Sequence, residues 1–316
     1  MQPRPSTFSI AARDPETGAV GVAVQSKFVG VGAVVPFVSA DAGAVATQSF
    51  ANVAYGPDGL DLLREGHSAQ EAVDELTSSD DEAPQRQVGI VEAPGGDTAE
   101  REDSVAAFSG DECFDVYGDV QGTHYTVQGN ILENRETLTA MAETFEEADG
   151  GLPERMIAAL HAGNDAGGDS RGEQSAALYV ARHEGGYDGK NDRWVDVRVD
   201  DHEHPIDELE RVFRLYDITL LAREEPDDTR ELSGETAEAV AETLADLGFY
   251  DGTPDGEFGD GERDALEDFR GMNNFENHSV ATLEDALARG WDDADGEGEA
   301  RMVDAIWHGL QRLERK

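Results

Sequence analysis

Apolar and polar residues alternate from Thr7 to Arg13. The pattern predicts a strand with Phe8, Ile10 and Ala12 on one face and Thr7 and Ser9 on the other. DPETG follows as a turn cluster, and GAVGVAVQSK resumes as a second apolar strand, so the two runs predict a hairpin. GVGAVVPF and GAVATQSF predict two more short strands rich in Gly and Val. The period then lengthens. YGPDGLDLLREG carries Leu60, Leu62 and Leu63 between Pro57 near its start and Gly66 at its stop. HSAQEAVDEL opens a second helix, with Ser68 as N-cap and Glu71 completing a capping box. RQVGIVEA and SVAAFSG predict a strand pair across the polar loop APGGDTAERED, and DVYGDVQGTHYTVQGN predicts strand, turn and strand. ENRETLTAMAETFEEA and LPERMIAALHAG read as helices, the latter with Pro153 suited to its first turn. The glycine-rich AGGDSRGEQSAALYVARHE runs into a strand, and RWVDVRVDD is the last strand of the block.

Strands, two helices, strands, two helices and strands, in that order, predict an α+β layered sandwich over residues 1–204. HPIDELERVFRLYDITLL is an amphipathic helix leading out, and EEPDDTRELSGE reads as a polar linker. Residues 205–316 are helical in pattern and almost strandless, which predicts a small all-α C-terminal domain.

Charge narrows the function classes. The 316-residue chain has 69 acidic and 24 basic residues, a net charge of −45. Nucleic-acid phosphate and anionic membrane would both be repelled, so neither is an expected partner. Its only lysines are Lys27, Lys190 and Lys316. A dense acidic surface with few lysines resembles proteins of high-salt cytoplasms, where a Debye length of about 3 Å at molar salt screens self-repulsion. The single cysteine, Cys113, leaves no intrachain disulfide and no cysteine-based zinc site. MQPRP lacks the charged and apolar regions of a signal peptide, and a cytoplasmic protein is expected.

Four stretches, TFSIAARDPETGAVGVAVQSKF, GAVATQSFANVAYGPDGLDLL, YTVQGNIL and AGGDSRGEQSAAL, together resemble the domain-of-unknown-function family DUF1028 over the first two-thirds of the chain. The resemblance implies the fold of the N-terminal-nucleophile hydrolases, a four-layer αββα sandwich of two antiparallel sheets between helical layers. The C-terminal TAEAVAETLADLGFYDGTPDGEFGDGERDALEDFRGMNNFEN is similar to a peptidoglycan-binding-like helical domain, with Leu244, Leu247, Phe249, Gly256, Phe258, Leu266 and Phe269 in the matching places. A small helical bundle with a structural or dimerising role accounts for the same pattern.

In the resembled fold the nucleophile is the first residue of the mature chain, and its own α-amine is the general base. An α-amine with a pKa of about 8 suits that task, whereas an unaided hydroxyl is a poor nucleophile. Thr7 is the position that fits, and it requires scission between Ser6 and Thr7, because removal of Met1 alone exposes Gln2. Threonine is equally an ordinary strand residue. Ser9, on the same face, is a second candidate. Lys27 ends the second strand on the side assigned to Gln25, where a compact ammonium would steady a developing anion. In the resembled hydrolases an acidic residue stands on the second strand and the lysine on the third, so this chain departs from that arrangement.

Substrate-binding candidates follow from the loops. Asp169 and Arg171 share a glycine-rich loop that enters a strand at Gln174 and Ser175, and Arg171 could clamp a carboxylate. Gln48, Asn52, Gln128 and Asn130 supply neutral amides that serve equally as loop caps. His202 and His204 could share a strand face, but a solvated loop explains them, and neither a metal nor a cofactor is expected. The reading is therefore an amidohydrolase acting on a C–N bond of a small amide or short peptide-like substrate, expected as a homo-oligomer. The alternatives are a non-catalytic metabolite-binding protein and a structural homo-oligomer on the same fold.

Overall fold

The computed structural model describes residues 7–95 and 101–316, and the proposed scission point at Ser6 lies outside them. The chain divides into two compact units, 1–211 and 212–316.

The N-terminal unit holds two antiparallel sheets. The larger has six strands: β1 (Thr7–Arg13), β2 (Val20–Ser26), β7 (Gly118–Gln121), β8 (Tyr125–Asn130), β9 (Ser175–Ala181) and β10 (Arg193–Val199), in the order β10-β9-β2-β1-β8-β7. The smaller has β3 (Pro36–Ser39), β4 (Gly43–Ser49), β5 (Arg86–Glu92) and β6 (Val105–Ser109), in chain order. Helices α1 (Tyr55–Arg64) and α2 (Ala69–Ser78) pack on the smaller sheet. Helices α3 (Glu136–Glu147) and α4 (Leu152–Asp165) pack on the larger. The sheets face each other through β1, β2, β4, β5 and β8.

Strand parity decides what each face meets. Ala11, Val20, Val22, Val24, Ala44, Ala46 and Val91 form an apolar cluster between the sheets. Val45, Val88 and Ile90 turn the other way, onto Leu60, Leu63, Val73 and Leu76 of α1 and α2. Phe8 and Ile10 are wholly buried, each worth about 1.5–3 kcal/mol relative to exposure. Phe8 lies against α4 near Gly163, whose missing Cβ leaves room for Met141 of α3. The Ser68–Glu71 capping box is present at the start of α2.

One expected strand is displaced. GVGAVVPF is not extended throughout. Gly30 adopts a left-handed φ of 68°, Val31–Ala33 form a short 3-10 turn, and β3 begins only at Pro36. The hydroxyl of Ser175 accepts from Val31 N at 3.1 Å, and Val34 N closes the turn on Val31 O.

The C-terminal unit contains α6 (Gly234–Asp246), α7 (Asp260–Met272), α8 (Val280–Gly290) and α9 (Glu299–Leu310). A further helix, α5 (Pro205–Leu220), spans the division at residue 211. The C-terminal core includes Leu244, Phe258, Leu266 and Phe269, with Leu247 and Phe249 packed against it. Among the described residues no helix is long and apolar enough to cross a membrane.

Candidate functional site

At one end of the larger sheet, register aligns four small polar residues across adjacent strands. Asn130 of β8 lies opposite Thr7 of β1, which neighbours Ser26 of β2, which lies opposite Ser175 of β9. Parity turns this row towards the smaller sheet, since Val24, Ala11 and Ala177 share its face in the inter-sheet cluster. Thr7 is 3 % exposed, and its hydroxyl donates to Ser26 Oγ at 3.1 Å.

Two residues further along β1, Ser9 is fully buried. Its hydroxyl donates to Gln48 Oε1 at 2.6 Å and accepts from Gln128 Nε2 at 2.5 Å. Gln48 Nε2 donates to Gln87 Oε1 at 2.8 Å and to the carbonyls of Thr7 and Gln128, each at 3.3 Å. Asn130 Nδ2 also donates to Gln87 Oε1, at 3.1 Å. Gln87 Nε2 passes the chain to Ser109 Oγ and to the carbonyls of Gly118 and Gly129. Gly89 makes this possible. A Cβ there would lie 2.2 Å from Gln128 Oε1, so any side chain would push Gln128 away.

This network changes the expected role of several residues. The hydroxyl of Ser9, the second nucleophile candidate, is buried and held by two amides. Gln48, 1 % exposed, and Asn130, fully buried, bind protein groups rather than offering amides to a substrate. Gln25 is also fully buried, but it faces the helical side. Phe8 is its cross-strand partner, and Gly21 on the same parity lies against Met156 of α4. Among the described residues neither atom of its amide finds a partner. The shared face expected for Gln25 and Lys27 therefore brings no contact to Thr7.

The charged candidates gather at the loop following α4. Asp169 pairs with Leu132 in an isolated bridge, and its carboxylate accepts from Lys27 N at 2.8 Å. It also accepts from Arg171 N, Nε and Nη2 at 2.9, 3.2 and 3.0 Å. Left-handed Gly168, with φ 58°, lets the chain turn into this loop. Lys27 is exposed, and its ammonium donates to the Glu173 carbonyl at 2.7 Å. Thus Lys27, Asp169 and Arg171 do meet, one residue beyond Ser26. Thr7's hydroxyl and the ammonium of Lys27 have different hydrogen-bond partners.

Other candidates serve the framework. Ser175 donates to the Phe28 carbonyl and holds Val31. Gln174 Nε2 donates to Asp201 at 3.0 Å. Asn52 turns to Asp80, which also receives Tyr55 and Arg86. Burial would raise the Asp80 carboxyl, but donors from the Glu82 amide, Arg86, Tyr55 and Asn52 outweigh it and hold its pKa at about 2. No cluster of three metal-ligating side chains occurs among the described residues.

Gln87, Ser26, Thr126 and Ser109 escaped the sequence reading. For Gln87 a signal existed: it is a polar residue in the strand RQVGIVE on the same parity as Gly89 and Val91, which face inward. Among the described residues, no titratable side chain is hydrogen-bonded to the hydroxyl of Thr7 or Ser9.

Comparison with known proteins places these motifs. A model described as "Family of unknown function (DUF1028)" matches residues 7–209. A second, described as "Putative peptidoglycan binding domain", matches residues 219–307. A crystal structure of a protein from Silicibacter pomeroyi, itself assigned to DUF1028, is similar at 32 % identity and a TM-score of 0.59. That similarity covers 67 % of this chain and 89 % of the other. No curated protein matches the chain.

Proposed function

The chain belongs to the DUF1028 family, and on that premise we propose that its N-terminal unit is an amidohydrolase of the N-terminal-nucleophile kind. It acts on a C–N bond of a small amide or peptide-like substrate. One observation carries the reading. Thr7 stands on an inner strand of the larger sheet, on the face turned to the smaller one, with its hydroxyl ordered on Ser26 and, among the described residues, no titratable side chain hydrogen-bonded to it. Such a hydroxyl becomes a nucleophile only if the bond before it is cut and the freed α-amine takes its proton.

In that mechanism Thr7 Oγ1 attacks the substrate carbonyl while the amine accepts the hydroxyl proton. The C–N bond then breaks, and the amine returns the proton to the leaving nitrogen. Water, deprotonated by the same amine, hydrolyses the ester on Oγ1. Lys27, which follows Ser26 on the neighbouring strand, and Arg171 supply the cations of this mechanism, with Asp169 bonding the backbone amide of the first and the guanidinium of the second. The same reading sets the protein in a concentrated-salt cytoplasm, for which the support is the −45 net charge with three lysines.

A β-lactone tests the chemistry without a known substrate. Thr7 Oγ1 bonds to the lactone carbonyl, the ring C–O bond breaks and the proton passes to the ring oxygen. Mass spectrometry of the native protein is expected to show a chain beginning at Thr7 and one adduct on that residue. Thr7→Ala is expected to abolish the adduct. A native chain that still carries Ser6, with no Thr7 adduct, would overturn the proposal.

The near-closure of Thr7, 3 % exposed, favours a second reading. In it the fold is non-catalytic and binds a small metabolite at the Lys27–Arg171 loop. That reading expects an unprocessed chain and ligand affinity unchanged by Thr7→Ala.

A further inference from the structure

We infer that Gln48 is a positioning residue for Thr7, reaching across from the smaller sheet to fix the carbonyl of the nucleophile's own peptide. The inference rests on the hydrolase reading and deepens it.

Gln48 sits on β4 and Thr7 on β1, 41 residues apart and in different sheets. The carboxamide of Gln48 is fully committed. Its oxygen accepts from Ser9 at 2.6 Å, and its nitrogen faces three acceptors, Gln87 Oε1 and the carbonyls of Thr7 and Gln128. Rotating the amide by half a turn would set its oxygen against all three acceptors. Gln87 cannot turn to compensate, because Asn130 donates to its oxygen while Ser109, Gly118 and Gly129 take its nitrogen. The direction of the donor at Thr7 O is therefore determined by the whole network.

A cut chain needs this. The first residues of a strand fray once nothing precedes them. Thr7 is held along β1 by pairing with β2 and β8, but its amine and hydroxyl are aimed by the torsion about its Cα–C bond. A donor on the Thr7 carbonyl constrains that torsion from outside the strand. Gln48 touches no reacting atom and acts through Thr7. A misplacement of about 1 Å costs on the order of a hundredfold in rate where geometry is the catalyst.

The test compares two buried glutamines of one network. Gln48→Met and Gln87→Met each remove an amide from the buried layer, but only Gln48 touches Thr7. The readout is the rate of Thr7 acylation by a β-lactone in the full chain, resolved into encounter and bond-forming steps. Gln48→Met is expected to slow the bond-forming step on the order of tenfold or more while leaving encounter unchanged. Gln87→Met keeps the Gln48 donor on Thr7 O but removes one acceptor that orients it, and is expected to slow acylation clearly less than Gln48→Met. Gln48→Glu, nearly isosteric, guards against a misfolded methionine variant. Its protonated carboxyl can donate to Thr7 O, so acylation relative to wild type is expected to recover at low pH and fall as the carboxyl ionises. Equal slowing by Gln48→Met and Gln87→Met, or a Gln48→Glu rate without that pH dependence, would overturn the positioning role alone. No Thr7 adduct in the wild type would overturn the hydrolase reading and this inference with it.

Discussion

In the N-terminal unit the polar groups buried around Thr7 and Ser9 are amides and hydroxyls; in the C-terminal unit they are carboxylates gripping arginines. Ser9, Gln48, Gln87, Gln128 and Asn130 are each at most 1 % exposed and carry no charge. Asp217, wholly buried, instead receives Arg223 and Arg315, themselves 3 % and 9 % exposed. Glu284 receives Arg263, and Asp285 receives Arg289. A carboxamide both donates and accepts, so amides can be chained across a dry layer without charge compensation. A buried carboxylate demands a cation and holds two named segments together. Asp217 is bonded to Arg223 and Arg315, whose backbones also pair, tying the end of the chain to residues 222–224. Ions serve as a fastening there. At Thr7 the hydroxyl is ordered on Ser26, and among the described residues no titratable side chain hydrogen-bonds it.

The contrast breaks first at Asp217. Asp217→Asn removes the buried carboxylate charge that both guanidiniums bond, which is expected to cost about 3–5 kcal/mol. Urea unfolding followed by the fluorescence of Trp291 and Trp307 measures it. A loss comparable to that of a surface ion pair would show that water reaches these arginines and that the fastening is not ionic. The neutral network should respond less. Ser9→Ala removes the donor to Gln48 Oε1 and an acceptor for Gln128 Nε2, and is expected to cost about 1–3 kcal/mol. Because Ser9 is framework, the same variant should still give the lactone adduct on Thr7. Loss of that adduct in a folded Ser9→Ala chain would return Ser9 to the reacting groups.

Much of the fold was legible because period and punctuation are local properties. Alternation from Thr7 to Arg13, the Ser68–Glu71 box and the helical spacing of Ala265, Leu266 and Phe269 each depend on neighbours a few residues away. GVGAVVPF misled because its apolar run carries no sign of the left-handed Gly30 or of the remote hydroxyl of Ser175 that holds Val31. The candidate site was legible only in kind. Parity shows that Ser9 and Gln48 point inward on their strands, but not that two different sheets bring them to 2.6 Å. Nor does it separate an amide that faces a ligand from one that faces another amide. Gln25 shows the limit most plainly, since its parity is set by Phe8 and Gly21, and it turns to α4. Asp169 and Arg171 were legible as a pair because they share one loop, whereas Lys27 joins them through a backbone amide that no local pattern shows.

The smallest expected effect separates the two units by sign. His161 of α4 is raised above the ordinary histidine value, chiefly by its 2.8 Å bond to Glu210, with Asp207 and Asp165 adding attraction. His278, 2 % exposed, is lowered, chiefly by burial and further by Arg223, against the opposing pull of its bond to Ile218 O and of Asp217 and Glu225. For His161 the folded state binds the proton more tightly than the unfolded chain. Its contribution is fully present below the unfolded value of about 6.5 and is lost as pH rises through the folded value. For His278 the unfolded chain binds the proton more tightly. Its contribution is present above about 6.5 and is lost as pH falls through the lowered folded value. Acidification from about pH 8 to about pH 5.5 should thus strengthen one contact and weaken the other, the His161 share amounting to roughly half a kcal/mol after solvent screening. Thermal unfolding against pH for His161→Gln and His278→Gln measures each. The first variant should lose more stability on acidification than the wild type, and the second should lose less. If both variants shift in the same direction, the two histidines do not titrate against these partners in opposite senses.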